Sequence, residues 1–267
     1  KPNLNQILVT PGANIQIYLA IACAADPGDE IVYPDPGFAS YSSIIKSLGC
    51  RPVPVKTFEE NGFRLSPADV RAAISSKTAM VIINSPSNPT GAVLDEQAVT
   101  DIYKISEEFG LYILSDEIYA RMIYKEENSF FSPSSIDYCK TNSIVVNGFS
   151  KSYSMTGWRL GVVTGPTQLI EKMGTLLETM LSCTPSFIQY AGLEALTGSQ
   201  CEVQTMINAY RKRRNKLVSG LNEINGFSCG MPDGAFYAFP NITETGFSSE
   251  ALAKLLMHEV GVVVSPG

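Results

Sequence analysis

Seven short runs rich in β-branched residues alternate along most of this chain with stretches whose apolar residues recur at helical spacing. The runs are 7–9, 30–33, 52–55, 79–83, 111–114, 143–146 and 160–163. The helical stretches are 13–25, 38–48, 67–74, 95–109, 167–180, 186–196 and 202–224. This alternation predicts an α/β fold: a mainly parallel seven-stranded sheet with right-handed crossovers and helices on both faces. A length of 267 residues allows one large core, or one core and a smaller domain. After Gly226 the texture changes: 227–228, 235–239 and 262–264 read as strands, and 249–259 as a helix. That pattern predicts part of a small α+β domain, entered through a long helix ending near Ile224. The expected division is a large domain over 1–200, a connecting helix over 201–225 and a partial small domain over 226–267. No internal repeat or low-complexity segment interrupts it.

An apolar share of 45% and a charged share of 17% are globular values. The net charge of −6 argues against nucleic acid as a partner. One basic run, Arg211, Lys212, Arg213, Arg214 and Lys216, falls in the long helix and is expected to form a solvated face. Six cysteines are scattered without CxxC spacing, which suits free thiols in a reducing compartment and makes a cytoplasmic location the expectation. The single histidine, His258, has no metal-ligand spacing around it and reads as an ordinary helix residue. The longest apolar stretch, 15–25, contains Gln16 and is too short to span a bilayer, so no membrane partner is expected. The chain opens on Lys1-Pro2 and closes on Pro266-Gly267 after a strand-like run, and both ends read as cut. A lost targeting peptide therefore stays open.

In open α/β sheets, ligands sit beyond the carboxyl ends of the strands. Residues with chemical potential fall at such ends. Lys151 follows the run 143–146 in the segment NGFSKSYSMTGWRLG, and Arg159 comes eight positions later. Burial at a strand end disfavours a charged lysine, whereas a Schiff base removes the charge and makes it a covalent anchor. An arginine nearby supplies a forked ligand for phosphate. Alone, each reads more simply as a loop lysine and a surface arginine; together they point to an aldehyde cofactor bearing a phosphate. Gly12, Ala13 and Asn14 open a helix after the first run, where small residues let backbone N–H groups approach an anion. Phe38 stands at a helix start after PDPG, placed either to stack on a flat cofactor or to pack under the sheet. Asn88 lies in the rigid turn NSPSNPTG and can donate to a phenolate-like oxygen. Asp116, in SDEIY, needs a cationic partner in a dry cleft, and a pyridinium nitrogen is one. Tyr119 is placed to face the same cleft.

With NSPSNPTG, SDEIY and SKSYSMTGWRLG in this order, the chain resembles the class I/II aminotransferases of the fold-type I pyridoxal-phosphate enzymes. It is most like the aspartate and aromatic aminotransferase branch, and the resemblance covers essentially the whole chain. The resemblance implies pyridoxal 5′-phosphate as cofactor, amino acids and 2-oxo acids as substrates, 2-oxoglutarate as acceptor and a homodimer. By position, Lys151 matches the Schiff-base lysine and general base, and Asp116 the partner of the pyridine nitrogen. Tyr119 and Asn88 match the pair that bonds the ring hydroxyl. Phe38 takes the place of the stacking aromatic, with Ile118 on the opposite ring face. Arg159, with the backbone at Gly12, Ala13 and Asn14, resembles the phosphate cradle. The resemblance also implies cis bonds at Asp35–Pro36 and Asn88–Pro89. Two departures stand out. Many relatives have Ser or Thr three residues before the lysine, where this chain has Gly148. The family's carboxylate-binding arginine would follow Gly267, and its N-terminal arm, which lends a tyrosine to the neighbouring subunit, would precede Lys1. The chain is therefore expected to be part of a longer subunit. Related chemistry on the same scaffold, a carbon–sulfur β-lyase or an S-adenosylmethionine-using synthase, shares these motifs. So does an aminotransferase-like effector module of a transcription regulator.

Overall fold

The computed structural model describes residues 2–124 and 130–267. Its strands are β1 (Ile7–Thr10), β2 (Glu30–Asp35), β3 (Arg51–Lys56), β4 (Thr78–Asn84), β5 (Tyr112–Asp116), β6 (Ser143–Gly148) and β7 (Gly161–Thr164). The helices are α1 (Asn14–Ala24), α2 (Ser40–Ser47), α3 (Pro67–Ala73), α4 (Glu96–Glu108), α5 (Ser134–Asp137) and α6 (Phe149–Ser152). They continue with α7 (Thr167–Leu181), α8 (Ser186–Thr197), α9 (Cys201–Asn222) and α10 (Ser249–Val260). The seven strands form one sheet in the order β1-β7-β6-β5-β4-β2-β3. Pairings from β6 through β3 are parallel, and β7 runs antiparallel to both of its neighbours. The expected sheet therefore forms, with one reversed strand.

A parallel sheet covered on both faces needs apolar side chains on alternating sides. Ile31, Met80, Ile82, Leu114, Ile144 and Val146 point to one core, shared with Ile17, Ile21, Tyr41, Ile45 and Met173 of α1, α2 and α7. Their neighbours Val32, Val81, Ile83 and Ile113 point to the other, shared with Val70, Val99, Ile102 and Tyr103 of α3 and α4. Local signals set several helix starts. Ser66 caps α3, with Pro67 in the first turn; Asp95 accepts from the Ala98 N–H at 2.8 Å at the start of α4; Ser248 caps α10.

Gln16 explains why a polar residue interrupts the apolar stretch of α1. It is fully buried. Its Nε2 donates to Thr10 Oγ1 at 2.7 Å and to the Asn147 carbonyl at 3.0 Å. Its Oε1 accepts from the Asn147 N–H at 3.2 Å. One side chain thus joins the ends of β1 and β6 to the first turn of α1. Gly161 lies against this junction, where it pairs with Thr10 on one side and Gly148 on the other.

The strands expected after Gly226 do not form. Ser228 and Asn241 make one isolated bridge, and 235–239 and 262–264 join no ladder. A strand needs a partner edge, and Val262, Val263 and Val264 meet none among the described residues; they are 48, 78 and 45% exposed. Around 235–239 the backbone bonds to loops instead: Ala235 N–H donates to the Met122 carbonyl at 2.8 Å, with Ala235 at φ +57°. The basic run on α9 is not a wholly solvated face either. Arg214 turns inward, donates to the Pro232 carbonyl at 2.9 Å and lies 4.6 Å over the Tyr124 ring.

A methyl group at Gly161 would lie 2.4 Å from Gln16 Nε2 and 2.8 Å from the Gly12 carbonyl carbon. Gly161→Ala is therefore expected to destabilise the protein by about 1–3 kcal/mol, the usual cost of overpacking. A urea unfolding curve that overlays that of the unaltered protein would rule this packing account out.

Candidate active site

The carboxyl ends of β2, β4, β5 and β6 share one edge of the sheet. Because β7 is reversed, its beginning lies at that same edge, and so does the end of β1. A cavity of about 300 Å³ opens there. Lys151, Asp116, Tyr119, Asn88, Phe38, Ile118, Arg159, Ala13 and Asn14 all line it. Gly12 stands behind Arg159 rather than in the wall, and its role is steric. A Cβ at Gly12 would lie 2.3 Å from Arg159 Nη2, and the residue adopts φ +92°, so glycine lets the guanidinium lie on the backbone. Arg159 is itself at φ +54° and donates to the Thr156 carbonyl at 2.8 Å, which turns the fork back toward the start of α1. No side chain caps α1, so its first N–H groups stand beside the arginine as donors that an anion could accept from.

Asp116 is 5% exposed at the end of β5. Its Oδ1 accepts from the Ile118 N–H at 3.3 Å and its Oδ2 from the Tyr41 hydroxyl at 2.7 Å. Among the described residues it has no ion-pair partner. Burial raises the pKa of its carboxyl above the usual aspartate value, and the two hydrogen bonds oppose the rise. Asn84, at the end of β4, donates to the Asp116 carbonyl at 3.2 Å and accepts from the Asn88 N–H at 2.8 Å. It therefore fixes two site residues against each other. Asp35–Pro36 and Asn88–Pro89 are cis as expected, and Ser85–Pro86 is cis as well.

The lysine sits differently from the strand-end position read from its motif. β6 stops at Gly148, and Lys151 belongs to the single turn α6. It is half-buried, with Nζ 5.3 Å from the centre of the Phe236 ring. The turn carries the amine out into the cleft. At Gly148 a Cβ would lie 3.1 Å from Ile118 Cδ1 and 3.2 Å from the Leu160 carbonyl oxygen. The glycine thus leaves room for Ile118 to reach the cavity. Phe38 lines the cavity and also packs on the core, edge-on to Tyr41 at 5.5 Å. Both of its expected roles are compatible with this position.

Two aromatic residues from beyond α9 reach this site, Tyr237 in the wall and Phe236 beside Lys151, and neither was expected from its sequence context. Tyr237 lines the cavity and its hydroxyl is hydrogen-bonded to that of Tyr119. Phe236 meets the Tyr119 ring edge-on at 5.2 Å. Burial, and then the Tyr237 contact, raises the pKa of the Tyr119 phenol, so it stays protonated. The segment that carries both rings is clamped. Gly234 N–H donates to the Gly91 carbonyl at 2.9 Å, and Arg64 pairs with Asp233 at 2.8 Å. A Cβ at Gly234 would press on Pro86, 2.7 Å away.

A family model described as aminotransferase class I and II matches residues 3–267. The chain is 40% identical over 266 residues to an aspartate aminotransferase of Pyrococcus horikoshii, covering 99% of this chain and 67% of that protein. It is 40% identical over 264 residues to aromatic-amino-acid aminotransferase 2 of Thermococcus litoralis, covering 98% and 67%. The chain thus spans about two thirds of the length of these relatives. The crystal structure of an aromatic aminotransferase from Pyrococcus horikoshii superposes with a TM-score of 0.93 at 37% identity, over 98% of this chain and 70% of that one.

Behind the cavity, Glu117 is 4% exposed, and Ser132 Oγ donates to its Oε1 at 2.5 Å. Burial pushes its pKa from 4.5 up to about 7. In that window the folded chain holds a proton that the unfolded chain has lost, so stability falls as pH rises from 4.5 to about 7. Glu117→Gln is expected to melt higher than the unaltered protein at about pH 8 and to lose that advantage near pH 5, where the carboxyl is already neutral. Parallel melting temperatures across this range would contradict the assignment.

Proposed function

The chain belongs to the class I and II aminotransferase family, and from that premise we propose that it moves an amino group between an L-amino acid and a 2-oxo acid on pyridoxal 5′-phosphate held by Lys151. The observation that carries this reading is the convergence of Lys151, Asp116, Asn88, Tyr119 and Arg159 on one cavity. The residues fit the cofactor. A buried carboxylate with no ion-pair partner among the described residues suits a protonated ring nitrogen. An arginine laid over Gly12 at an uncapped helix start suits a phosphate. Asn88 and Tyr119 bring polar groups to the cavity that would hold a ring hydroxyl, and Phe38 and Ile118 offer apolar faces.

The bound cofactor supplies a ring that accepts the electrons left when a proton departs the substrate α-carbon. The protein's own groups do the rest. The Lys151 amine removes and returns that proton as general base and acid. The Asp116 carboxylate keeps the ring nitrogen charged. Arg159 and the start of α1 hold the phosphate, so the amine and the α-carbon meet in a fixed geometry. The relatives' names support an amino acid of the aspartate, aromatic or alanine type as substrate; 2-oxoglutarate as acceptor is what the family resemblance implies. Phe187, Tyr190, Leu193 and Leu196 leave an apolar surface on α8, which supports a homodimer. All six cysteines are unpaired, which supports a reducing compartment such as the cytoplasm. No helix among the described residues is long and apolar enough to cross a membrane. The 22-residue α9 supports the division into a cofactor domain over 1–200, a connector over 201–225 and part of a small domain over 226–267.

Two measurements test the reading. After reconstitution with pyridoxal phosphate and reduction with borohydride, peptide mapping is expected to find the cofactor on Lys151; an adduct on any other lysine overturns the assignment. Asp116→Asn is expected to lower turnover by about 10²–10³-fold, the usual loss for one transition-state electrostatic contact. Cofactor retention should change little, since Lys151 and Arg159 remain. An equal loss of both properties would make Asp116 structural.

A further inference from the structure

Tyr41 lies in the first turn of α2 and is 0% exposed. Its ring belongs to the core between Tyr33 and Phe38, which it meets edge-on at 6.4 and 5.5 Å. Phenylalanine would fill that space equally well. The hydroxyl is therefore the feature that packing leaves unexplained, because a buried O–H is costly unless it finds an acceptor. The acceptor it finds is Asp116 Oδ2, at 2.7 Å and 75 residues away in sequence.

We propose that Tyr41 is a positioning residue for transamination, whose donated hydroxyl keeps the Asp116 carboxylate ionised and oriented toward the cofactor's ring nitrogen. The proposal rests on the reading of Asp116 as the partner of that nitrogen. An O–H directed at a carboxylate favours its charged form. With Oδ2 held by Tyr41 and Oδ1 by the Ile118 N–H, the carboxylate cannot rotate freely. Each oxygen still keeps a lone pair for a cationic N–H. Without the tyrosine, burial acts on Asp116 with only one weak backbone donor to oppose it. The proton it shares with the ring nitrogen then shifts toward the carboxyl, and a neutral acid gives that nitrogen no counter-charge. Burial and the neighbouring Asp116 both raise the Tyr41 pKa, so the phenol remains a donor throughout the working range.

The test uses protein reconstituted with pyridoxal phosphate carrying ¹⁵N in the ring. The readout is the pH at which the ring-nitrogen resonance moves from its protonated to its neutral position. Tyr41→Phe is expected to lower that pH by at least about one unit, and turnover at least about tenfold, with the amino-acid KM little changed, as for loss of a hydrogen bond to a charged group. A 3-fluorotyrosine at position 41 is a stronger donor that preserves the packing, and it should raise the midpoint. Asp116→Asn separates the two levels of the argument. If it lowers the midpoint and Tyr41→Phe does not, Tyr41 only packs and the Asp116 reading survives. If Asp116→Asn leaves the midpoint in place, both fall. Should Tyr41→Phe fail to fold, an unmoved midpoint with fluorotyrosine overturns the proposal.

Discussion

Asp116 holds a carboxylate almost out of water at the end of β5, with no ion-pair partner among the described residues, and the surrounding elements are arranged to make that tolerable. Three separate parts of the chain take part. Tyr41 of α2 donates to one oxygen, the Ile118 N–H to the other, and Asn84 of β4 donates to the backbone carbonyl of the same residue. A charge so placed is costly unless it is paired and hydrogen-bonded. The hydrogen bonds are present in the protein itself; under the proposed function, a protonated pyridine ring brings the positive charge. The same burial that raises the carboxyl pKa makes its attraction for such a ring strong, because the local dielectric is low.

The remaining geometry follows from one reversed strand. Were β7 parallel, its beginning would lie at the far edge of the sheet, and Arg159, two residues before it, would lie there too. The antiparallel pairing of Gly161 with Thr10 and Gly148 places the arginine between the start of α1 and the turn bearing Lys151. Gln16 secures this junction with three hydrogen bonds, and Gly12 and Gly161 leave space for the two side chains that cross it. Anion site and amine are thereby held on rigid elements, which suits chemistry that depends on fixed orientation.

The segment after α9 closes the third side of the cavity. It brings Phe236 and Tyr237 over Lys151 and Tyr119, and its backbone is anchored to the 84–91 turn, to 122–124 and to Arg214. The hydroxyl pair of Tyr119 and Tyr237 ties a cavity-lining residue of the 115–119 segment to this outer segment. The cleft is therefore built from segments on both sides of α9.

Much of this was legible in the residues themselves. The seven strands and the long helices stand where β-branched runs and helical periodicity place them, because both signals are local. That the candidate residues would meet at one cavity was legible because strand-end turns have a restricted vocabulary, and NSPSNPTG, SDEIY and SKSYSMTGWRLG carry it. Tyr41, Gln16 and Tyr237 were not. Each looks like an ordinary member of a helix or loop, and each acquires meaning from a partner 75, 131 or 118 residues away. The run 235–239 reads as a strand yet joins no ladder, and Arg214 leaves the basic face of α9 for a carbonyl and a ring. Local periodicity and turn chemistry thus determined which elements form and which residues end them. Strand order, the reversal of β7 and the hydrogen-bond partners of buried polar groups were decided only when distant segments packed, because a buried donor or acceptor takes whichever partner the fold brings within about 3 Å.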